Sequence, residues 1–279
     1  MTFSIVAGAG TAYGVAVASK FLAVGSVVPA ALPGVGAVAT QSFAKVSYKA
    51  DSLALLKAGA SADDVVARIT AADPLRETRQ VGVVGAGGAA TFTGAECNAW
   101  AGGVAGGDAT DGWYAAQGNI LVGAEVVADM ERAWLASSGM PLDRRLLAAL
   151  LAGDAAGGDS RGRQGAALYV VEVGGGYDEC GVVVDLRVDD HPHAAEELAR
   201  LLDLNDLYFG GPEDVQPLEG ALADEVADRL RHLGYDTEPG SDIATALADW
   251  AGVENYELRL TPDGIDGRVL AALRAATGR

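Results

Sequence analysis

The chain opens MTFSIVAGAG, and the residue with the clearest chemical content is the small hydroxyl side chain at position 2. Methionine aminopeptidase removes Met1 readily when the next side chain is small. That cleavage would leave Thr2 with a free α-amine and a hydroxyl on one residue, a nucleophile and its base together. The amine has an unperturbed pKa of about 8, so part of it is neutral near pH 7 and can take the hydroxyl proton, directly or through a water. The β-methyl restricts χ1 and helps to aim Oγ1. The apolar run that follows reads as a strand, whose start would hold the backbone in the fixed geometry that attack on a carbonyl requires.

Other chemistries fit the sequence less well. The three histidines, His191, His193 and His232, fall in the C-terminal third with no Gly-x-Ser-x-Gly elbow, which excludes a Ser-His-Asp triad. The run Asp189-Asp190-His191-Pro192-His193 is dense in metal-type ligands, but adjacent residues rarely converge on one ion, and a capping turn before a helix accounts for it. No metal and no cofactor are expected. Gly85-x-Gly87-x-x-Ala90 mimics a dinucleotide fingerprint, yet it opens a second strand where that motif must open a helix. Cys97 and Cys180 read as free buried thiols.

The elements that would position Thr2 follow from the pattern of apolar residues. Residues 3–7 predict a strand, 8–12 a turn and 14–18 a returning strand; after a crossing over 25–34, residues 34–40 predict a third. Over 51–72 the period becomes helical, with Ser61 and Asp64 spaced as a capping box. Residues 80–94 predict a hairpin. Two helices follow, one carrying Val126, Val127, Met130 and Trp134, the other Leu146, Leu147, Leu150 and Leu151, with Asp143 as a cap. The loop 153–165 then leads to two β-branched strands, AALYVVEVG and CGVVVDLRV, and to a helix over 193–210. Strands, helices, strands, helices, strands in that order predict an α+β fold, a four-layer α/β/β/α sandwich of facing antiparallel sheets. Gly210-Gly211-Pro212 marks a boundary, and residues 213–279 predict three short helices with stripes at Leu218 to Leu233, Ile243 to Trp250 and Ile265 to Leu273.

Half of the 279 residues are hydrophobic but only 6% are aromatic, so the interior should be built from Ala, Val and Leu. The formal net charge is −18, and all four lysines precede residue 60, which argues against nucleic acid as a partner. No apolar run is long enough to span a bilayer, so no membrane partner is expected, and the opening lacks the basic leader of a signal peptide, so the expected location is cytoplasmic. Base rates favour a homo-oligomer.

The first hairpin, with GVAVA running into Ser19-Lys20, resembles the opening of proteasome-type subunits, and the glycine-rich loop before Leu168-Tyr169-Val170 resembles the stretch that brings an aspartate to their nucleophile. A closer resemblance is to the bacterial family called domain of unknown function 1028, grouped with the N-terminal nucleophile (Ntn) hydrolases. TFSIVA, GVAVASKFLAVGSVVP, GVGAVATQ, RQVGVV, AAQGNILVG, GGDSRGRQGAAL and DLRVDDHP read like its signatures across residues 1 to about 208. The C-terminal LGYD, ALADWAGVENYELR and IDGRVLAALR resemble a peptidoglycan-binding-like helical module. The first resemblance implies an amide-cleaving Ntn fold in which Thr2 matches the nucleophile and Lys20 stands where a cation could lower the amine's pKa. Ser19, Gln117, Gly118 and Asn119 would line the site, the amides or backbone N–H groups serving an oxyanion or the substrate. Asp159 would orient the amine and Arg161 would take a substrate carboxylate, unless the two pair with each other. Ala18 replaces the aspartate of proteasome subunits and no lysine falls near Gly34, so that mechanism cannot be copied wholesale.

Two functions are therefore expected to compete. One is an Ntn amidohydrolase acting on a small amide or peptide-like substrate through an acyl-Thr2 intermediate; the other keeps the fold as a catalytically inactive binding or assembly module. The C-terminal helices would serve docking or oligomerisation.

Overall fold

The structure, a computed structural model, describes residues 2–237 and 242–278. It is an α+β protein with two antiparallel sheets and a helical C-terminal region. The chain divides into two compact units, one ending at Leu201 and one beginning at Leu202.

In the first unit, β1 (Thr2–Ala9) and β2 (Ala12–Ser19) form the expected hairpin, with Gly10 in the left-handed region (φ 60°) at its turn. They occupy the centre of a six-stranded sheet, flanked on one side by β9 (Gly165–Val171) and β10 (Val182–Val188) and on the other by β8 (Gly112–Asn119) and β7 (Gly102–Asp108). The second sheet has the order β3 (Pro29–Leu32), β4 (Gly36–Ser42), β5 (Arg79–Gly85) and β6 (Gly88–Thr93). Short α1 (Val24–Val27) precedes β3, so the crossing expected over 25–34 contains a turn of helix and an edge strand.

Alternation along each strand decides what its two faces meet. Val6, Val15 and Val17 of the larger sheet share one buried cluster with Ala37, Ala39 and Val84 of the smaller one. The opposite face of the smaller sheet, with Val38, Val81 and Val83, packs on α2 (Ser47–Lys57) and α3 (Ala62–Ala71) through Tyr48, Leu56, Val65 and Ile69. Ser61 caps α3 by accepting from the Asp64 N–H at 3.1 Å, as its spacing predicts. Against the larger sheet lie α4 (Glu125–Ala136) and α5 (Leu142–Ala155), which bury Met130, Trp134, Leu146 and Leu150. The cap of α5 is Pro141, and Asp143 sits inside the first turn.

The β7–β8 hairpin is the largest departure from the sequence reading. Gln117-Gly118-Asn119 is the end of β8, a strand not among the expected elements, paired with the start of β1. Neither cysteine is buried: Cys97 is half-buried, Cys180 is exposed, and both are free thiols.

Helix α6 (Ala194–Phe209) follows β10 and crosses the division between the units. The C-terminal unit holds α7 (Gly220–His232), α8 (Ile243–Val253) and α9 (Gly267–Thr277) around Val226, Leu230, Leu247, Trp250, Ile265, Leu270 and Leu273. Arg274 and then Arg229 donate to Glu225, joining α7 to α9 and holding that carboxyl down at about 2. Among the described residues, no helix is long and apolar enough to cross a membrane.

A candidate active site between the sheets

Thr2 begins a central strand, so ladder partners hold its segment on both sides. Thr2 is opposite Asn119 of β8, and Phe3 is opposite Ala18 of β2. The Thr2 side chain is buried, and its Oγ1 lies 3.1 Å from the Oγ of buried Ser19, with either oxygen able to donate. The period of two places Ser4 on the same face, and below it the surface becomes the apolar inter-sheet cluster beginning at Val6.

This end of the interface is polar and buried. Gln41 from β4, Gln80 from β5 and Gln117 and Asn119 from β8 are all essentially fully buried. Ser4 donates its hydroxyl to Gln41 Oε1 at 2.7 Å, and Gln117 Nε2 donates to Ser4 Oγ at 2.7 Å. Gln41 Nε2 donates to Gln80 Oε1 (2.8 Å), to the Thr2 carbonyl (3.2 Å) and to the Gln117 carbonyl (3.3 Å). Asn119 Nδ2 donates to the same Gln80 oxygen at 2.9 Å and to the Thr2 carbonyl at 3.5 Å. Gln80 Nε2 in turn donates to the carbonyl of Gly118 and to Thr93. Such groups tolerate burial only when each finds a partner, and here the partners come from both sheets. Gly82 makes the room: a Cβ there would stand 2.2 Å from Gln117 Oε1.

Chemically, the network is uncharged and holds the backbone of residue 2 by its carbonyl, leaving Oγ1 beside a second hydroxyl. Asn119 and Gln117 use their amides inside the network, so both orient the strand start. Gly118 supplies a carbonyl to Gln80, and its Cα lies against Leu121, with a Cβ there only 2.4 Å from Leu121 Cδ1.

Asp159 is brought to the end of β2 but engages other groups. Its carboxylate accepts from the Lys20 backbone N–H at 2.8 Å and from the Arg161 backbone N–H at 3.0 Å. Arg161 then folds back on it, with Nε and Nη2 at 3.2 and 3.0 Å, so the ion pair orders the loop. That is the pairing reading of these two residues, with Arg161 spending its fork on Asp159. The exposed Lys20 ammonium donates to the Arg163 carbonyl at 3.4 Å. The sequence reading did not single out Ser4, Gln41 or Gln80. The signal it could have used is a polar residue on the inward face of an otherwise apolar strand.

A separate open cleft of about 710 Å³ belongs to the C-terminal unit, lined among others by Leu218, Asp242, Leu247 and Pro262, and shares no residue with the Thr2 network. Among the described residues no group of three or more His, Cys, Asp or Glu side chains could hold a metal ion; His191 Nδ1 accepts from the His193 N–H, as in a turn.

Residues 2–198 match the model of a family of unknown function, DUF1028, and residues 208–273 match that of a putative peptidoglycan binding domain. A crystal structure of a Silicibacter pomeroyi protein of the DUF1028 family model is similar: 30% identity, covering 80% of this chain and 92% of that one, with a TM-score of 0.64. No curated protein matches.

Proposed function

This chain belongs to the family of unknown function DUF1028 and carries a peptidoglycan-binding-like domain at 208–273, and from that premise we propose that it is an N-terminal nucleophile amidohydrolase with Thr2 as its nucleophile. In this reading the paired sheets and their outer helices are a four-layer α/β/β/α sandwich of the Ntn type, with a domain boundary at 210–213. The single observation that carries the proposal is the placement of Thr2: a buried hydroxyl at the start of a central strand, 3.1 Å from Ser19 Oγ, its carbonyl held by two amide side chains.

The reaction follows from that placement. Removal of Met1, which lies outside the described residues, frees the amine of Thr2. The amine takes the Oγ1 proton, directly or through a water, while Ser19 holds the hydroxyl in line. Oγ1 adds to the carbonyl carbon of a small amide or peptide-like substrate, the C–N bond breaks, and the leaving amine takes the proton back. Water then attacks the acyl-Thr2 ester by the reverse proton path and releases the acid. Gln41 and Asn119 act as positioning residues, because both bind the carbonyl of the residue that reacts.

Two observations favour the inactive alternative. Ala18 stands where proteasome-type subunits have an aspartate, and the Lys20 ammonium is turned to the Arg163 carbonyl. One experiment separates the readings. An activated β-lactone is expected to leave its acyl adduct on residue 2 of a chain lacking Met1, and Thr2→Ala to abolish both adduct and amide hydrolysis. Retained Met1 with no adduct on Thr2 would establish the inactive module instead.

A further inference from the structure

A polar cavity of about 240 Å³ lies in the first unit where β3 and α1 stand against β9 and β10, and the Thr2 network does not reach it. Lys49 of α2, Tyr169 of β9 and Asp185 and Arg187 of β10 line it, against the small side chains of Ala30 and Ala31. Lys49, Arg187 and Tyr169 each have a donor to spare. The half-buried Lys49 ammonium donates to the carbonyls of Val27 (3.1 Å) and Ser26 (3.5 Å), capping α1, and an ammonium has three hydrogens. Arg187 donates Nε and Nη2 to Asp185 at 3.1 and 3.2 Å, which leaves Nη1. Tyr169 Oη has no partner among the described residues, and its pKa is raised, first by burial and then by the Asp185 charge, so it remains a donor at neutral pH.

The charge balance favours an anion. Two cations and one carboxylate give the cavity a surplus positive charge in a protein whose formal net charge is −18. Burial, and after it the neighbouring Arg187 charge, hold the Lys49 ammonium below the usual lysine range. The arrangement is also built in. A Cβ on Gly25 would stand 2.5 Å from Ala167 Cβ and 3.2 Å from Arg187 Cγ, so the missing side chain lets α1 pack onto the stem of that arginine.

We propose that this cavity is a binding site for a small monocarboxylate, held by the Lys49 ammonium, Arg187 Nη1 and the Tyr169 hydroxyl, with Asp185 setting the tolerated charge to one. A dianion would meet the Asp185 carboxylate, and a neutral ligand would leave the cations unmatched. A planar carboxylate supplies acceptors enough for three donors arriving from three elements.

The test is a chemical-shift titration of the full chain with sodium acetate, at ionic strength held constant with sodium chloride. Saturable shifts are expected at Gly25, Ala167 and Tyr169. Lys49→Met and Tyr169→Phe should each weaken binding by at least about tenfold, the size of a hydrogen bond to a charged group. Asp185→Asn should tighten binding about threefold, a gain that a damaged fold cannot imitate. Inorganic phosphate at pH 8 should bind more weakly than acetate. The proposal is overturned if acetate shifts only follow those of chloride, if phosphate binds more tightly, or if Asp185→Asn leaves the affinity unchanged or weaker.

Discussion

Replacing Gly82 by alanine tests the inter-sheet network with one methyl group. The new Cβ would stand 2.2 Å from Gln117 Oε1 and 2.7 Å from both Cδ and Nε2, so the glutamine must leave its place. Its displacement removes the 2.7 Å bond from Nε2 to Ser4 and the 3.4 Å bond that Oε1 accepts from Thr91. A buried polar group stripped of its partner costs about 1–3 kcal/mol, and overpacking a tight core costs a similar amount. Together they give a destabilisation of about 2–6 kcal/mol. At about 2–4 °C per kcal/mol for a chain of this size, the unfolding transition of the N-terminal unit should fall by about 4–24 °C. Differential scanning calorimetry measures it. The control is Gly87→Ala, in the turn of the same hairpin, where a Cβ meets nothing within 4 Å; it should change stability by no more than about 1 kcal/mol. If Gly82→Ala proved as harmless as Gly87→Ala, the claim that the glutamines are locked between close-packed sheets would be wrong.

Two further outcomes follow from the described geometry. Burial alone would raise the Asp73 carboxyl, but hydrogen bonds from the Leu75 N–H, Arg79 and Tyr48 outweigh it and bring the group to about 2. A depressed pKa contributes stability that is present above the unfolded value of about 3.9 and is lost as pH falls toward 2; Asp73→Asn should therefore flatten the acid limb of the stability–pH curve between about 4 and 2, and an unchanged slope would remove Asp73 as its source. Ellman's reagent should titrate the exposed Cys180 of the native chain rapidly and the half-buried Cys97 more slowly, and equal rates would contradict their placement.

What the sequence disclosed depended on how each segment carries its apolar residues. The hairpin of β1 and β2, the paired helices and the stripes of α7 to α9 were legible because valines, leucines and alanines repeat at the period of the element they form. The strand Gly102–Asp108 was not, since GGVAGGD has almost no side chains to alternate and is identified as a strand by its pairing with β8. Thr2 and Asn119 were found as separate features, and the ladder is what sets them opposite each other. Gln41 and Gln80 were missed for a subtler reason. A glutamine at a strand end normally signals the approach to solvent, and here the facing sheet covers both. The Asp159–Arg161 pair was anticipated as an alternative, and distances alone could decide for it.

The strand order of the larger sheet has a consequence for synthesis. The neighbours of the first hairpin come from residues 112–119 and 165–171, so its β1 side stays uncovered until the chain has grown past residue 119 and its β2 side until it has grown past residue 171. At ribosomal rates of about 5–20 residues per second the longer wait, that of the β2 side, lasts roughly 8–30 s. During it an apolar ribbon with at least one unpaired edge is presented to the cell, the form of nascent chain that other strands can join by mistake. Holding such a ribbon apart from its copies is then a task for the translation environment.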